Sequence, residues 1–417
     1  MKQKAALLGL LAALTSSAWA QQGAVPKGIP HLDHVFLIMM ENHGYSEILN
    51  NPNAKFINQY ARSANLATNY FAVAHPSLTN YLEVVGGSNF GVQSDNAPDW
   101  HNASCTTNLA SGIANTDNPP SPNICPIAGS GTDAVTPALD CTNEVQGPPC
   151  EININGKLSI PAVSTTLGIT IADQLAEAGK TWKTYQESLP TTGPDTVNYS
   201  DGNFTNNTNF AKIKPALNPP LASGDIVQLY ASKHNPFVYF QDVQQGTNPL
   251  VGYSNMAGFD GLSGLWGDLG SGTLPNFSFI VPNQCNDQHG RGNSTAFCNF
   301  DPNDDGKQSG LNPALIILGD QAVQKIVTAI HGSSVWNRGH NAIVVIWDEN
   351  DYAVQPIINK VVAIVDTNYG AHEVQSGEFY SHFSLLKSIE SGLELPCLNH
   401  ACDANVSVMS DLFGGAN

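Results

Sequence analysis

The sequence predicts an α/β fold with a mostly parallel central sheet covered by helices on both faces. Three apolar runs, at residues 35–40, 277–281 and 342–347, are nearly continuous, as expected of strands buried on both sides. Helical spacings of apolar residues alternate with them, at 170–179, 317–330 and 383–395, and such alternation builds parallel sheets with helical crossovers. Each run also ends in polar residues: Glu41, Asn42 and His43 after the first, Asn286, Asp287 and His289 after the second, and Asp348, Glu349, Asn350 and Asp351 after the third. Ligands bind beyond the carboxyl ends of strands in open parallel sheets, so these clusters are expected on one rim.

In chain order, Lys2 and Lys4 precede an apolar stretch over 5–14, and Ala18, Trp19 and Ala20 give a small-x-small cleavage pattern. Residues 1–20 therefore read as a secretory signal peptide, with a single mature domain over 21–417. Their apolar stretch is too short to span a bilayer, and no later segment approaches roughly 18 uninterrupted apolar residues. An exported protein, periplasmic or extracellular and without a stable membrane anchor, is expected. After the 35–40 strand, residues 75–87 read as a turn at His75 and Pro76, a helix opened by Ser77 and a stop at Gly86 and Gly87.

Residues 87–160 are rich in Gly, Pro, Ser, Asn and Thr, with little periodicity. A structureless stretch of that length needs staples, and it holds Cys105, Cys125, Cys141 and Cys150. It is read as a Cys-rich, disulfide-stapled insertion over part of the rim. The 170–179 helix closes at Gly179, a strand is expected at 181–185, and 197–210 reads as an Asn-rich surface loop. Residues 360–365 give one more buried strand ahead of the 383–395 helix. No internal repeat is present.

All 8 cysteines follow the predicted signal peptide, and an even count in an exported chain favours disulfides. No Cys-x-x-Cys pair occurs, which disfavours structural zinc. The connectivity stays open; short spacings favour Cys397 with Cys402, Cys285 with Cys298, and Cys141 with Cys150. The formal charge of −18 falls by two more once Lys2 and Lys4 are removed. No basic patch exists to release counterions from phosphates, so nucleic acid is not an expected partner. An acidic surface repels anions at long range, so attraction of a phosphate ester has to come from the site itself.

Ser77 has two readings. It either caps the helix through its hydroxyl, or it is a nucleophile at a helix N-terminus, where free N–H groups stabilise a phosphoryl group and Asn80 donates to a phosphate oxygen one turn on. Glu41 with Asn42 and Asp348 with Glu349 supply oxygen ligands at two strand ends. Together with Ser77 they suit a hard divalent cation, of unknown identity, that lowers the hydroxyl's pKa and screens phosphate. His289, two residues after Asp287, is a candidate general acid or phosphate donor. His43 and His75 adjoin the motifs as residues that orient ligands, and His382 stands at a helix start. His101, His331, His340 and His400 are read as surface residues.

These segments resemble the phosphoesterase family of bacterial and fungal acid phosphatases and phospholipases C, within the alkaline phosphatase-like superfamily. The resemblance runs through Glu41-Asn42-His43, His75-Pro76-Ser77 with Asn80 three residues on, the 282–289 segment with Asn286, Asp287 and His289, Trp347-Asp348-Glu349, and Tyr380-Ser381-His382. It covers residues 32 to about 395 in the family's order. The resemblance implies an alkaline phosphatase-like fold, Ser77 as nucleophile, a metal held by Glu41, Asn42, Asp348 and Glu349, and His75, His289 and His382 around the phosphate. Some members carry two Asp at the second metal position, where this chain has Asp348 and Glu349.

The reaction expected is hydrolysis of a small phosphate monoester by a metal-dependent acid phosphatase. Ser77 attacks phosphorus, His289 or a metal-bound water protonates the departing oxygen, and water hydrolyses the phosphoserine. Monoesters are favoured because phospholipase C members continue into further C-terminal domains. A phospholipase C or other phosphodiesterase shares the same catalytic residues and is the main rival. A non-catalytic secreted binding protein is the other, with no use for a Ser, four oxygen ligands and a His on one rim.

Overall fold

Strands whose side chains are buried on both faces form the middle of an eight-stranded sheet. The eight strands are β1 (His34–Met40), β2 (Asn65–Ala67), β3 (Trp182–Gln186), β4 (Met256–Ala257), β5 (Phe277–Val281), β6 (Asn341–Trp347), β7 (Ala363–Thr367) and β8 (Gln375–Ser376). Their spatial order is β8-β2-β7-β6-β1-β5-β3-β4. Pairing is parallel throughout except for β7, which runs antiparallel to both β6 and β2. The computed structural model describes residues 22–105, 115–116, 123–131, 166–190, 193–196, 229–290, 298–303, 306–350 and 359–415. The expected signal peptide, the 197–210 loop, Asp351, Cys141 and Cys150 lie outside the described residues.

Besides two short helical turns, Tyr45–Ile48 and Gln241–Gln245, the helices among the described residues are α1 (Lys55–Ser63), α2 (Ser77–Gly86), α3 (Ile171–Glu177), α4 (Leu265–Ser271), α5 (Pro313–His331) and α6 (His382–Gly392). Helices α2 and α6 pack on each other, as do α1 and α5. Local sequence explains their ends. Thr170 caps α3 by accepting from the Ala172 N–H, and Asn312 caps α5 ahead of Pro313 in the same way. Gly87 ends α2 with φ 68°, and a Cβ there would lie 2.4 Å from the Leu398 carbonyl oxygen, so no other residue fits. Helix α5 is long and apolar enough to cross a membrane by composition alone. Its Leu315, Ile316, Gly319, Val323, Ile326, Val327 and Ile330 are buried at helical spacing, the pattern of a core helix.

Several expectations shift. The strand expected at 360–365 lies at Ala363–Thr367 and is the antiparallel one. Helix α5 begins four residues before the expected 317, because Asn312 and Pro313 start it. Pro76 is the N-cap of α2 and Ser77 its first residue, so the Ser77 hydroxyl does not cap the helix. Among the described residues the disulfides are Cys105 with Cys125, Cys285 with Cys298 and Cys397 with Cys402. The last two follow the short spacings; the first joins residues 20 apart, which spacing alone did not single out.

Candidate active site

Glu41 and Asp348 leave adjacent strands at the same level. Met40 faces Trp347 in the parallel register of β1 and β6, and the Asp348 N–H donates to the Met40 carbonyl at 3.0 Å. On the other side the Glu41 N–H donates to the Asp287 carbonyl at 2.9 Å, which ties the loop after β5 to the same rim. Glu41, Asp287 and Asp348 are fully buried, and Glu349 nearly so. Asn42, half-buried, is the next residue along the β1 end.

Ser77 is brought to these acids by a turn that Asn80 holds. The Asn80 side-chain oxygen accepts from the Val73 and Ala74 N–H groups, both at 3.0 Å, and its amide nitrogen donates to the Ala74 carbonyl at 2.6 Å. The same nitrogen donates to Glu349 Oε2 at 3.2 Å. The amide is therefore used within the protein, and a bond from it to phosphate requires that it release Glu349. Ser77 Oγ lies 3.0 Å from Glu349 Oε1 and 3.2 Å from Glu41 Oε2, with its hydroxyl proton donated to one or the other.

The histidines divide by what their nitrogens meet. His75 Nδ1 stands 2.6 Å from Glu349 Oε2, so it braces that carboxylate. His43 is buried between the Glu41 carbonyl and Asp301, 2.7 Å from its Nε2. Burial opposes its charge, but the Asp301 bond outweighs burial and raises it to about 9. His382, expected against the phosphate, lies behind the site instead. Its Nε2 meets the Asp348 carbonyl at 2.6 Å and its Nδ1 the Tyr70 hydroxyl at 2.9 Å, which leaves no ring nitrogen for substrate. Burial holds it down to about 4, hence neutral. His400, read from sequence as a surface residue, is buried, with Nδ1 2.9 Å from Asp403.

His289 faces the site. Its backbone N–H donates to Asp287 Oδ1 at 2.7 Å, and its ring Nδ1 meets the Gly290 carbonyl at 2.8 Å. A carbonyl only accepts, so Nδ1 carries the proton and Nε2 accepts from Lys233 at 3.2 Å.

Lys233 and His234 were missed in the sequence, as was Asp95. A short 3-10 turn, Ser232–His234, places them there. Lys233 is buried, with Nζ 3.0 Å from Asp95 Oδ2 and 3.4 Å from Ser77 Oγ. His234 Nε2 is 3.0 Å from Glu41 Oε1 and Nδ1 3.3 Å from Asp287 Oδ2, with the Tyr81 ring stacked on it at 5.3 Å. Asp95 comes from the expected insertion and also accepts from the Leu78 N–H at 3.1 Å. The available signal was an adjacent Lys-His before the Asn235-Pro236 turn and an apolar run, in a chain with only 17 Lys and Arg.

The charge balance of this cluster is uneven. Burial first, and then Glu41 and Glu349, hold the Asp348 carboxyl well above its usual range. Burial pushes Glu41 up to about 8 and Asp287 well above the carboxylate range. Burial and the Lys233 charge keep His234 neutral, so its single N–H serves only one of the two carboxylates beside it. Both Asp348 oxygens are buried without a hydrogen-bond partner among the described residues. Four buried carboxylates around one ammonium fit a divalent cation, with Glu41, Asn42, Asp348 and Glu349 as oxygen donors. Ligand atoms of Glu41, His234 and His289 also lie within 4.8 Å of one another, a second way for imidazoles to join the set.

A buried serine at a helix start thus stands among carboxylates beyond the ends of parallel strands, where open α/β sheets bind their ligands. A family model described as the phosphoesterase family matches residues 47–396, and the chain belongs to that family. It is similar to a phosphatidylinositol-3-phosphatase of Mycobacterium tuberculosis, 23% identical over 98% of this chain and 93% of that protein. An acid phosphatase of Aspergillus fumigatus is also 23% identical, over 89% of this chain, which spans 57% of the fungal protein. Among solved structures, one from Vibrio parahaemolyticus described as in the alkaline phosphatase superfamily has a TM-score of 0.42 at 11% identity, covering 92% of this chain and 72% of that one. As a member of that family, the protein is a hydrolase of phosphoric esters.

Proposed function

We propose that the protein is an exported, metal-dependent acid phosphatase that hydrolyses phosphate monoesters through a phosphoserine on Ser77. The observation that carries this reading is Ser77 Oγ, at the first residue of a buried helix, 3.0 Å from Glu349, 3.2 Å from Glu41 and 3.4 Å from Lys233. The proton of the hydroxyl passes to one of the two carboxylates as oxygen attacks phosphorus. Lys233 stabilises negative charge on Oγ and on the phosphoryl oxygens. The bond to the leaving oxygen breaks, and that oxygen takes a proton from the Lys233 and His289 pair. Water then attacks the phosphoserine from the face the alcohol left, Ser77 regains its proton, and two inversions leave the configuration at phosphorus retained.

Glu41, Asn42, Asp348 and Glu349 are the residues that would hold a divalent cation, which when bound lowers the hydroxyl pKa and screens the phosphate charge. Asn80 and His75 position Glu349, and His382 positions the Asp348 backbone. Two relatives named for removing a phosphate, one as a phosphatidylinositol-3-phosphatase and one as an acid phosphatase, favour monoesters over the phospholipase C and phosphodiesterase rival. Three disulfides favour an oxidising compartment, in line with residues 1–20 as a signal peptide and 21–417 as one exported domain.

The test is acid quenching during turnover of a phosphate-labelled monoester, followed by peptide mapping. Label on Ser77 is expected; label on another residue, or none under conditions where a burst is seen, overturns the nucleophile. Comparing p-nitrophenyl phosphate with its phosphorylcholine and bis-phosphate analogues, with and without chelator, decides the rest. Faster diester turnover overturns the monoester reading, and full activity after chelation overturns the metal.

A further inference from the structure

Phe300 differs from other exposed apolar side chains in that its ring meets the site. It is 46% exposed, yet its ring lies 5.7 Å from that of His289, edge to face. Three restraints hold it there. The Cys285 to Cys298 disulfide ties its segment to the loop after β5. Asp301, the next residue, lies 2.7 Å from His43 Nε2 and accepts from the Asn312 N–H at 2.5 Å, and the Asn299 carbonyl accepts from the Asn312 side-chain amide at 2.9 Å. Gly290, with φ 89°, lets the two segments touch, since a Cβ there would lie 3.1 Å from Phe300 Cδ1. Single exposed apolar residues are ordinary on a protein surface. A phenyl ring fixed on both flanks beside a residue of the site is not, because a ring ordered before a ligand arrives loses little freedom on binding it.

The inner side of His289 is filled. Its Nε2 accepts from Lys233 and the His234 ring stands 5.5 Å away, both of those side chains being buried. A group attached to an oxygen that takes its proton from the Lys233 and His289 pair therefore extends outward, toward Phe300. We propose, on the monoester reading above in which that pair faces the departing oxygen, that Phe300 is the wall of the leaving-group pocket and selects monoesters of aromatic alcohols over those of small or polar ones. An aromatic leaving group packs on the ring in offset or edge-to-face contact, which a polyol or a short alkyl group cannot do. The phenyl ring has no proton to give, so the wall acts in binding, and its effect falls on KM rather than on kcat.

The test compares wild type, Phe300→Ala and Phe300→Tyr, each as the full chain with added divalent cation, on phenyl phosphate and ethyl phosphate. In Phe300→Ala the ratio of kcat/KM for phenyl over ethyl phosphate should fall about tenfold, through KM, and Phe300→Tyr should keep it within about twofold of wild type. A loss of kcat that is equal on the two esters, or larger on ethyl phosphate, overturns the wall, because it means that Phe300 only props His289. A second arm measures binding of phenylphosphonate and methylphosphonate, whose carbon–phosphorus bond is not hydrolysed, by titration calorimetry. Phe300→Ala should weaken phenylphosphonate about tenfold and leave methylphosphonate unchanged. Unchanged phenylphosphonate affinity overturns the wall. Absence of monoester turnover in wild type would end the monoester reading instead, and the phosphonate pair would still decide the role of Phe300.

Discussion

Two regions of this sheet begin from the same sequence pattern and end with opposite uses. An apolar run leads into an acid at Met40 and Glu41, at Trp347 and Asp348, and again at Val365 and Asp366. The first two strands are parallel, so their acids meet at the carboxyl rim beside Ser77. The third is antiparallel, and its acid is carried to the other edge, among Tyr60, His331 and His372. At the first rim the carboxylates crowd one another in full burial with one ammonium among them. At the other a single carboxylate accepts from the buried Tyr60 hydroxyl and lies beside the partly exposed His331 and His372. Strand direction decides which acids meet beside Ser77.

The sharpest break of that contrast is Ser77→Ala. Turnover of p-nitrophenyl phosphate should fall by about 10,000-fold or more, with denaturation midpoint nearly unchanged because Pro76, not Ser77, caps the helix. Activity within tenfold of wild type removes Ser77 from the mechanism. Next in size, Glu41→Ala and Asp348→Ala should each lose roughly 1,000-fold in kcat together with the bound metal. A full metal complement in both by elemental analysis places the cation elsewhere.

Lys233→Met sharpens the difference in charge balance between the two edges. It should lower kcat about 100-fold while metal content stays at the wild-type level, as expected for loss of one preorganised cation. Metal loss alongside would make Lys233 a structural support of the ligands instead. His289→Ala should slow alkyl phosphates roughly tenfold more than p-nitrophenyl phosphate, whose phenolate leaves without protonation. Equal loss on both substrates reassigns His289 to phosphate binding. The smallest effect is expected at the opposite edge, where Tyr60→Phe removes one hydrogen bond to Asp366 and should cost about 1 kcal/mol in denaturant titration. A loss of several kcal/mol would mean that this edge, too, holds an uncompensated charge.

Much of this contrast was legible in the chain because it depends on local patterns. Continuous apolar runs mark doubly buried strands, and Gly87 and Asn312 mark helix ends, since burial and backbone conformation leave traces within a few residues. The histidines were read poorly. His382 and His289 stand in equally suggestive motifs, yet one packs behind Asp348 and the other faces Lys233. Sequence gives no direction for a side chain at a helix start or in a loop. Lys233 and His234 lay in a stretch without periodicity, and only their burial beside Glu41 gives them meaning.

By itself the sequence determined the α/β class, the polar ends of β1, β5 and β6, and the motifs of a phosphoesterase, because each is a property of short contiguous segments. Tertiary structure decided that β7 runs backwards, that Asp95 and Lys233 from distant segments close around Ser77, and that His382 supports the backbone. Those outcomes depend on which strand edge and which loop meet in space, and packing of the whole chain sets that across long separations, such as the 156 residues between Ser77 and Lys233.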